Sequence, residues 1–336
     1  MNILGLTQMD SGCGLHRIIL PMGFMDHISG YVTNLPSEEA LKKQWDILFF
    51  NRVSFFDEYL AEVKKEMNTK LVVDMDDDWI LPANHINYDT YAEFKLRIEN
   101  NLRVADLVTC TNERLAKRIR PFNQNVKIFP NALPYGHHQF TSDKIESDRI
   151  RIFWCGSVTH EQDISILKYP IKRLLEFKSD IRMVLGGYND ENILSKNIWD
   201  RMLSTFTNGK TLDYKVLKGL KPTEYMKLYE QGDIMVIPLE DSTWHGCKSN
   251  LKILEAASKK IPVICSAVEP YINDSEAPVL WVRNQSDWYK HLKFLIKNKN
   301  AREDYGEKIY EWANEKYNIF KINEDRRTAF ADLIKA

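Results

Sequence analysis

The sequence predicts an α/β chain built as two doubly wound domains. Apolar strand-like runs alternate with helical periodicity from end to end, the pattern of parallel sheets joined by crossover helices. One stretch, Pro134–Asp148, is polar, punctuated by Gly and Pro, and lacks either period, so it separates two such series. The 336 residues suit that division, because two domains of about 140 to 180 residues can each bury a core. The expected layout is a first domain over 1–134, a linker over 135–149, a second domain over 150–315 and a terminal helical segment over 316–336.

The strands follow in order. The first series reads Ile3–Leu6, Gly30–Val32, Ile47–Phe50, Leu71–Val73, Leu107–Thr109 and Val126–Phe129. The second reads Ile150–Trp154, Ile181–Leu185, Leu212–Val216, Ile234–Ile237, Pro262–Cys265 and Val279–Val282. Most are short, nearly continuous apolar runs, as strands covered on both faces require. From about Ser286 to Leu333 the pattern is almost entirely helical.

Composition narrows the function classes. Hydrophobic residues make up 44% and charged residues 28%, with a net charge of −1. That is an ordinary globular balance with no global field for nucleic acid or an anionic membrane. The basic cluster Arg114, Lys117, Arg118 and Arg120 shares one short helix and reads first as a solvated face. The cysteines Cys13, Cys110, Cys155, Cys247 and Cys265 are scattered without metal-ligand spacing. Reduced thiols in a cytosolic compartment are expected, the host's cytoplasm if the chain is viral. No window approaches 18 apolar residues, so no membrane-spanning segment is expected.

The segment Ile234–Tyr271 carries the most chemistry. A buried strand runs into a polar loop, then a helix expected from about Lys248, then a second apolar strand. Open parallel sheets bind ligands at the carboxyl ends of their strands, where helix N-termini offer N–H groups to anions. Lys248, Ser249 and Asn250 stand at that expected helix start, suited to a phosphate. Glu255 lies two turns further on, beside Lys252, where one carboxylate can accept both hydroxyls of a vicinal diol. Spacing alone fits either a nucleotide site or a crossover helix with a solvated face.

Within this segment, Lys248-Ser249, Glu255-Ala256-Ala257, Pro262-Val263 and Ser266 resemble the donor-binding segment of retaining glycosyltransferases of the large family 4 group. The similarity is strongest over residues 150–272. It departs from the family at Lys260, where a Gly is usual, and at Cys247, where the first of two glutamates would fall. The resemblance implies two Rossmann-like domains facing a cleft, the glycosyltransferase B fold, with the last helix crossing back to the first domain. It implies transfer of a sugar from a nucleoside diphosphate sugar, which is a substrate, and no essential metal or other cofactor.

Other strand ends supply further candidates. Asp10 and Ser11 open the turn after the first strand, and Gly12-Cys13-Gly14 leads a helix that includes Arg17. The turn lets backbone approach a ligand or is merely tight; the resemblance makes Gly14 and Arg17 donor-side residues. Gly156 and Ser157 end the first strand of the second domain, with His160 placed to meet a phosphate or to cap the next helix. His245, after Trp244, suits a donor sugar or loop packing. Asp74-Met75-Asp76-Asp77-Asp78 closes the fourth strand, with alternation placing Asp74 and Asp76 on one face and Asp77 on the other. Such crowded carboxylates bind acceptor hydroxyls, cap a helix or hold a cation.

The sequence thus assigns Lys248, Glu255 and Asp76 to catalysis and Asp10, Asp76 and Asp77 to the acceptor. The donor set is Gly14, Arg17, Gly156, Ser157, His160, His245, Lys248, Ser249, Asn250 and Glu255. The expected partners are a nucleoside diphosphate sugar and a glycan or other hydroxyl acceptor. A hydroxymethylated DNA base, flipped from its stack, is the alternative acceptor. A sugar-nucleotide-binding protein without transfer, or an isomerase of the same fold, is the alternative from another class.

Overall fold

All strands run parallel to their neighbours in two six-stranded sheets among residues 1–190 and 192–336, those that the computed structural model describes. The chain divides into two compact units, one of residues 1–134, 246–249 and 317–336, the other of 135–245 and 250–316. The first unit holds β1 Asn2–Leu6, β2 Ser29–Thr33, β3 Ile47–Asn51, β4 Lys70–Met75, β5 Leu107–Cys110 and β6 Val126–Ile128. They lie in the order β2-β1-β3-β4-β5-β6. The second unit holds β7 Ile150–Cys155, β8 Ile181–Tyr188, β9 Tyr214–Lys218, β10 Ile234–Ile237, β11 Val263–Ser266 and β12 Leu280–Val282, in the order β12-β11-β10-β7-β8-β9.

Sequence chemistry explains the layering. The run Ile47, Leu48, Phe49 and Phe50 is wholly buried, as a central parallel strand covered on both faces must be. Each sheet reverses its winding beside its first strand, between β1 and β3 in one unit and between β7 and β10 in the other. Consecutive crossovers leave such a point in opposite directions and open a crevice at the carboxyl ends of the strands.

β9 and the helix after the 238–250 loop both begin later than the sequence expectation. β9 begins at Tyr214, two residues late, because Leu212 buries in the preceding turn. The helix expected from Lys248 begins at Leu251. Asn112 Nδ2 donates to the carbonyls of Cys247 (3.0 Å) and Lys248 (2.9 Å), which a helix would have used for its own first bonds.

A buried charge cluster organises the first unit. Arg17, 1% exposed, holds Asp74 through Nε and Nη2, both at 2.8 Å. Its Nη1 donates to the Phe129 carbonyl (2.9 Å) and to Asn131 Oδ1 (3.0 Å). Thr109 adds a hydroxyl to Asp74 at 2.5 Å. Arg326, on the terminal helix Ile319–Lys335, is also buried, beside Asn323 and 5.0 Å from the Phe129 ring centroid. Burial and the neighbouring Arg17 push its pKa down to about 9, so it is still a cation at neutral pH. That helix seals its side of the sheet with Phe330 edge-on to Phe49 and Asn323 donating to the Pro21 carbonyl. Arg17 therefore has a structural role in place of the expected donor contact: buried inside the unit, it gives four N–H bonds to Asp74, Phe129 and Asn131. Gly14 is structural as well, since a Cβ there would fall 2.4 Å from Thr7 Oγ1 and 2.5 Å from the Gln8 carbonyl.

Asp74→Ala would strand the buried Arg17 guanidinium. We expect a loss of about 3–5 kcal/mol, read as a lowered urea midpoint. An unchanged midpoint would show that the cluster contributes little.

Candidate active site

The winding reversal of the second sheet gathers most of the surviving candidates. β7 ends at Cys155-Gly156, against the Gly186-Gly187 end of β8. Gly156 N donates to the Gly186 carbonyl (3.2 Å), and a Cβ on Gly187 would stand 2.2 Å from the Gly156 carbonyl oxygen. Gly187 also sits at φ +92°, so both sterics and backbone demand glycine there. The result is a close backbone approach between the ends of β7 and β8. Ser157, just beyond it, is exposed and hydrogen-bonds Thr159.

His160 and His245 come together through two groups the sequence reading did not select. Asp163, 1% exposed, takes His160 Nδ1 on one oxygen (2.6 Å) and the Glu240 N–H on the other (2.8 Å). Burial alone would raise the Asp163 pKa, but the His160 hydrogen bond and charge bring it below the usual carboxylate range. His245 Nδ1 lies 2.9 Å from the Glu240 carbonyl, which can only accept. Both acceptors fix Nδ1 as the protonated nitrogen. The i, i+3 spacing of His160 and Asp163 was legible in the sequence; their link to β10 was not.

On the helix Leu251–Ser258, Lys252 Nζ donates to the Cys155 carbonyl at 2.8 Å and lies 5.8 Å from the Trp154 ring. One turn on, Glu255 is 6% exposed and accepts Tyr225 Oη (2.7 Å) and Tyr229 Oη (2.5 Å). Burial and the Glu255 charge push both phenol pKa values well above normal, so the tyrosines are donors. A carboxylate has about four acceptor positions. Two hydroxyls already occupy Glu255 in the geometry that a vicinal diol would use. Asn250, expected to face a phosphate, is buried and donates to Asp274 (2.7 Å).

The remaining candidates belong to the first unit. Each carboxylate of the acidic run has its own cation: Asp74 with Arg17, Asp76 with Arg52, Asp77 with Lys248 at 3.7 Å, and Asp78 with Arg118 at 3.1 Å. The expected alternation holds, since Asn51 Nδ2 reaches both Asp74 and Asp76 at 3.3 Å. Ser249 Oγ accepts from Asn131, which also binds Arg17. Cys247 is buried in this unit's apolar core, its thiol pushed up to about 11 by burial and Asp78. A glutamate at that place would be desolvated beside a like charge.

At the β1/β3 reversal the first unit carries a cavity of about 600 Å³. Gln8, Asn34, Asn51, Arg52, Tyr91 and Arg97 supply part of its polar lining, Phe55 and Phe94 part of its apolar lining. Arg52 was missed in the sequence. It sits at φ +57°, a conformation that costs a long side chain some strain. Asp74 O and Asn101 Nδ2 fix its backbone, while Asp76, Tyr91 Oη and Cys13 Sγ fix its guanidinium. Asp76, expected to touch acceptor, is instead the group that aims Arg52, and Asp10 lies in the exposed turn outside the lining. Burial would raise the Asp76 pKa, yet Arg52 and Cys13 bring it down to about 2.

No protein-family model matches the chain, and no curated protein sequence matches it. Solved structures do. Sucrose-phosphate synthase from Thermosynechococcus elongatus superposes with a TM-score of 0.69 at 12% identity, covering 100% of this chain and 99% of that one. Anabaena HepE in complex with UDP and glucose gives 0.68 at 12%, covering 98% and 99%. An alpha-glucosyltransferase in complex with UDP and a 13-mer DNA containing an HMU base gives 0.66 at 14%, covering 100% and 99%. The chain has the two-domain glycosyltransferase B fold.

Asp76 titrates at about 2 when folded and near 3.9 when unfolded, so its ion pair stabilises fully above pH 4. About 2 kcal/mol should be lost as pH falls from 4 through 2. Asp76→Asn should flatten that part of the stability profile, measured by urea unfolding at stepped pH. An unaltered profile would remove Asp76 from the acid transition.

Proposed function

We propose that the chain is a glycosyltransferase that moves a sugar from a nucleoside diphosphate sugar to an acceptor hydroxyl with retention of configuration. The observation that carries this reading is the group of Lys252, Glu255, His160 and His245 around the β7/β10 winding reversal of the second sheet. Strand ends at such a reversal are where open parallel sheets bind nucleotides. Three full-length structural neighbours are described as a sucrose-phosphate synthase and as complexes with UDP, which supports the same donor class.

In this reading Glu255 accepts the two ribose hydroxyls, which exchange with those of Tyr225 and Tyr229. Lys252 and His160 face the diphosphate. His245 contacts the donor sugar. The acceptor oxygen attacks the face that the nucleotide leaves, the departing phosphate takes the acceptor proton, and no protein nucleophile forms a bond. The protein's contribution is positioning and stabilisation of charge on the leaving diphosphate, with no metal assigned a step.

A second reading keeps the chemistry and changes the acceptor to a hydroxymethylated DNA base. It is supported by the full-length match to the transferase bound to HMU-containing DNA.

The test is calorimetric titration with UDP, GDP, ADP and CMP. One nucleotide should bind, and Glu255→Ala should weaken it by about 1–3 kcal/mol, as for lost charged hydrogen bonds. Tyr225→Phe removes a competing hydroxyl and should leave that affinity equal or tighter. If no nucleotide binds, the donor reading fails. Slow release of nucleotide and free sugar from the matching donor supports transfer chemistry, and an epimerised sugar supports an isomerase.

A further inference from the structure

We infer that the first unit's cavity binds the acceptor as a small hydroxylated ring carrying an anionic group, a phosphate or a carboxylate. The inference rests on the transferase reading above and names the acceptor class for it. Two guanidinium groups, Arg52 and Arg97, line the cavity, and no Asp or Glu does. Their counter-charges lie outside the lining: Asp76 behind Arg52, and Asp57, whose side chain is 1% exposed, behind Arg97. The cavity therefore faces the positive ends of two fixed ion pairs, a field that favours an anion and disfavours a cation.

Geometry supports the same conclusion independently of charge. Arg97 binds Asp57 through Nε (3.0 Å) and Nη2 (2.9 Å), and its Nη1 has no partner among the described residues. It stands 5.2 Å from the Phe94 ring centroid and is 44% exposed on its side chain. Arg52 is held in a left-handed backbone conformation by bonds to its N–H, its carbonyl and its guanidinium, so its position is fixed before any ligand arrives. The open Nη1 edge of Arg97 suits carboxylate and phosphate oxygens, while Arg52, its guanidinium held by Asp76, Tyr91 and Cys13, contributes charge. Gln8, Asn34 and Asn51 add amides for ring hydroxyls, and Phe55 and Phe94 add apolar faces for the ring. A volume of about 600 Å³ holds one or two sugar rings.

A nucleic-acid acceptor fits less well. The segments that line the cavity, 6–13, 34–35, 51–55 and 91–98, hold three bases (Arg52, Lys95, Arg97) against two acids (Asp10, Glu93), without the dense basic surround of a nucleic-acid site. Phosphate-backbone binding depends on an excess of Lys and Arg around the site.

The experiment is calorimetry of the full chain with glucose 6-phosphate, glucuronate and methyl glucoside at low and moderate salt. The anionic sugars should bind about tenfold or more tightly than methyl glucoside, with the advantage shrinking as salt rises. Arg97→Gln, at an exposed side chain, should bring that ratio close to one, and Arg97→Lys should restore part of it. Nucleotide affinity should be unchanged in both variants, and matching circular dichroism melts would show them folded. Equal binding of neutral and anionic sugars would overturn the inference, as would a ratio that survives Arg97→Gln. So would binding of a 13-mer DNA with a hydroxymethylated base that no sugar displaces. Nucleotide binding with no anionic-sugar binding defeats this inference alone, whereas absence of nucleotide binding defeats the transferase reading.

Discussion

The first unit depends on one buried carboxylate. Asp74 lies at the carboxyl end of β4, where it pairs with Arg17 and accepts Thr109 and Asn51. Arg17 in turn fixes Phe129 and Asn131 beyond β6, and Asn131 holds Ser249. A charge removed from water costs several kcal/mol unless geometry and hydrogen bonds offset it. Here one anion orders the helix after β1, the end of β4 and the strand exit at β6, with Arg326 of the terminal helix packed alongside. Such a cluster tolerates little displacement, because any shift leaves a charge without a partner.

Around that fixed centre the acidic run resolves into separate assignments. Four carboxylates within five residues look from the sequence like one site for a cation or for hydroxyls. In the folded unit each neutralises a different base, and each does something different. Asp74 holds the interior, Asp76 aims Arg52, Asp77 meets Lys248, and Asp78 meets Arg118. The basic helix dissolves in the same way, since Arg118 pairs with Asp78 and Arg120 with Glu113. Local charge density in a sequence says that partners are needed without saying where they are.

The second unit was more legible because its chemistry follows strand ends. Gly156, Ser157 and His160 follow β7 directly, and His245 and Glu255 follow β10, so chain order already associates them with the carboxyl side of their sheet. What chain order could not supply was Asp163 joining His160 to Glu240, or the Tyr225 and Tyr229 hydroxyls on Glu255. The bonds to Glu240 and to the two tyrosines cross between elements 26 to 77 residues apart. Arg52 was illegible for another reason. Its importance lies in a left-handed backbone angle, and nothing in the local sequence Asn51-Arg52-Val53 announces one.

By itself the sequence determined the architecture: apolar runs long enough for buried strands, crossover helices between them, and glycines where backbones meet. These are local properties, because a strand's burial is written in its own residues. The tertiary structure decided which polar residues are interior struts and which line a cavity. Arg17, Gly14, Asn250 and Asp163 became the former, and Arg52 joined the latter. That division depends on partners brought from distant strands. A guanidinium or carboxylate has the same chemistry in either role until burial and its neighbours are known.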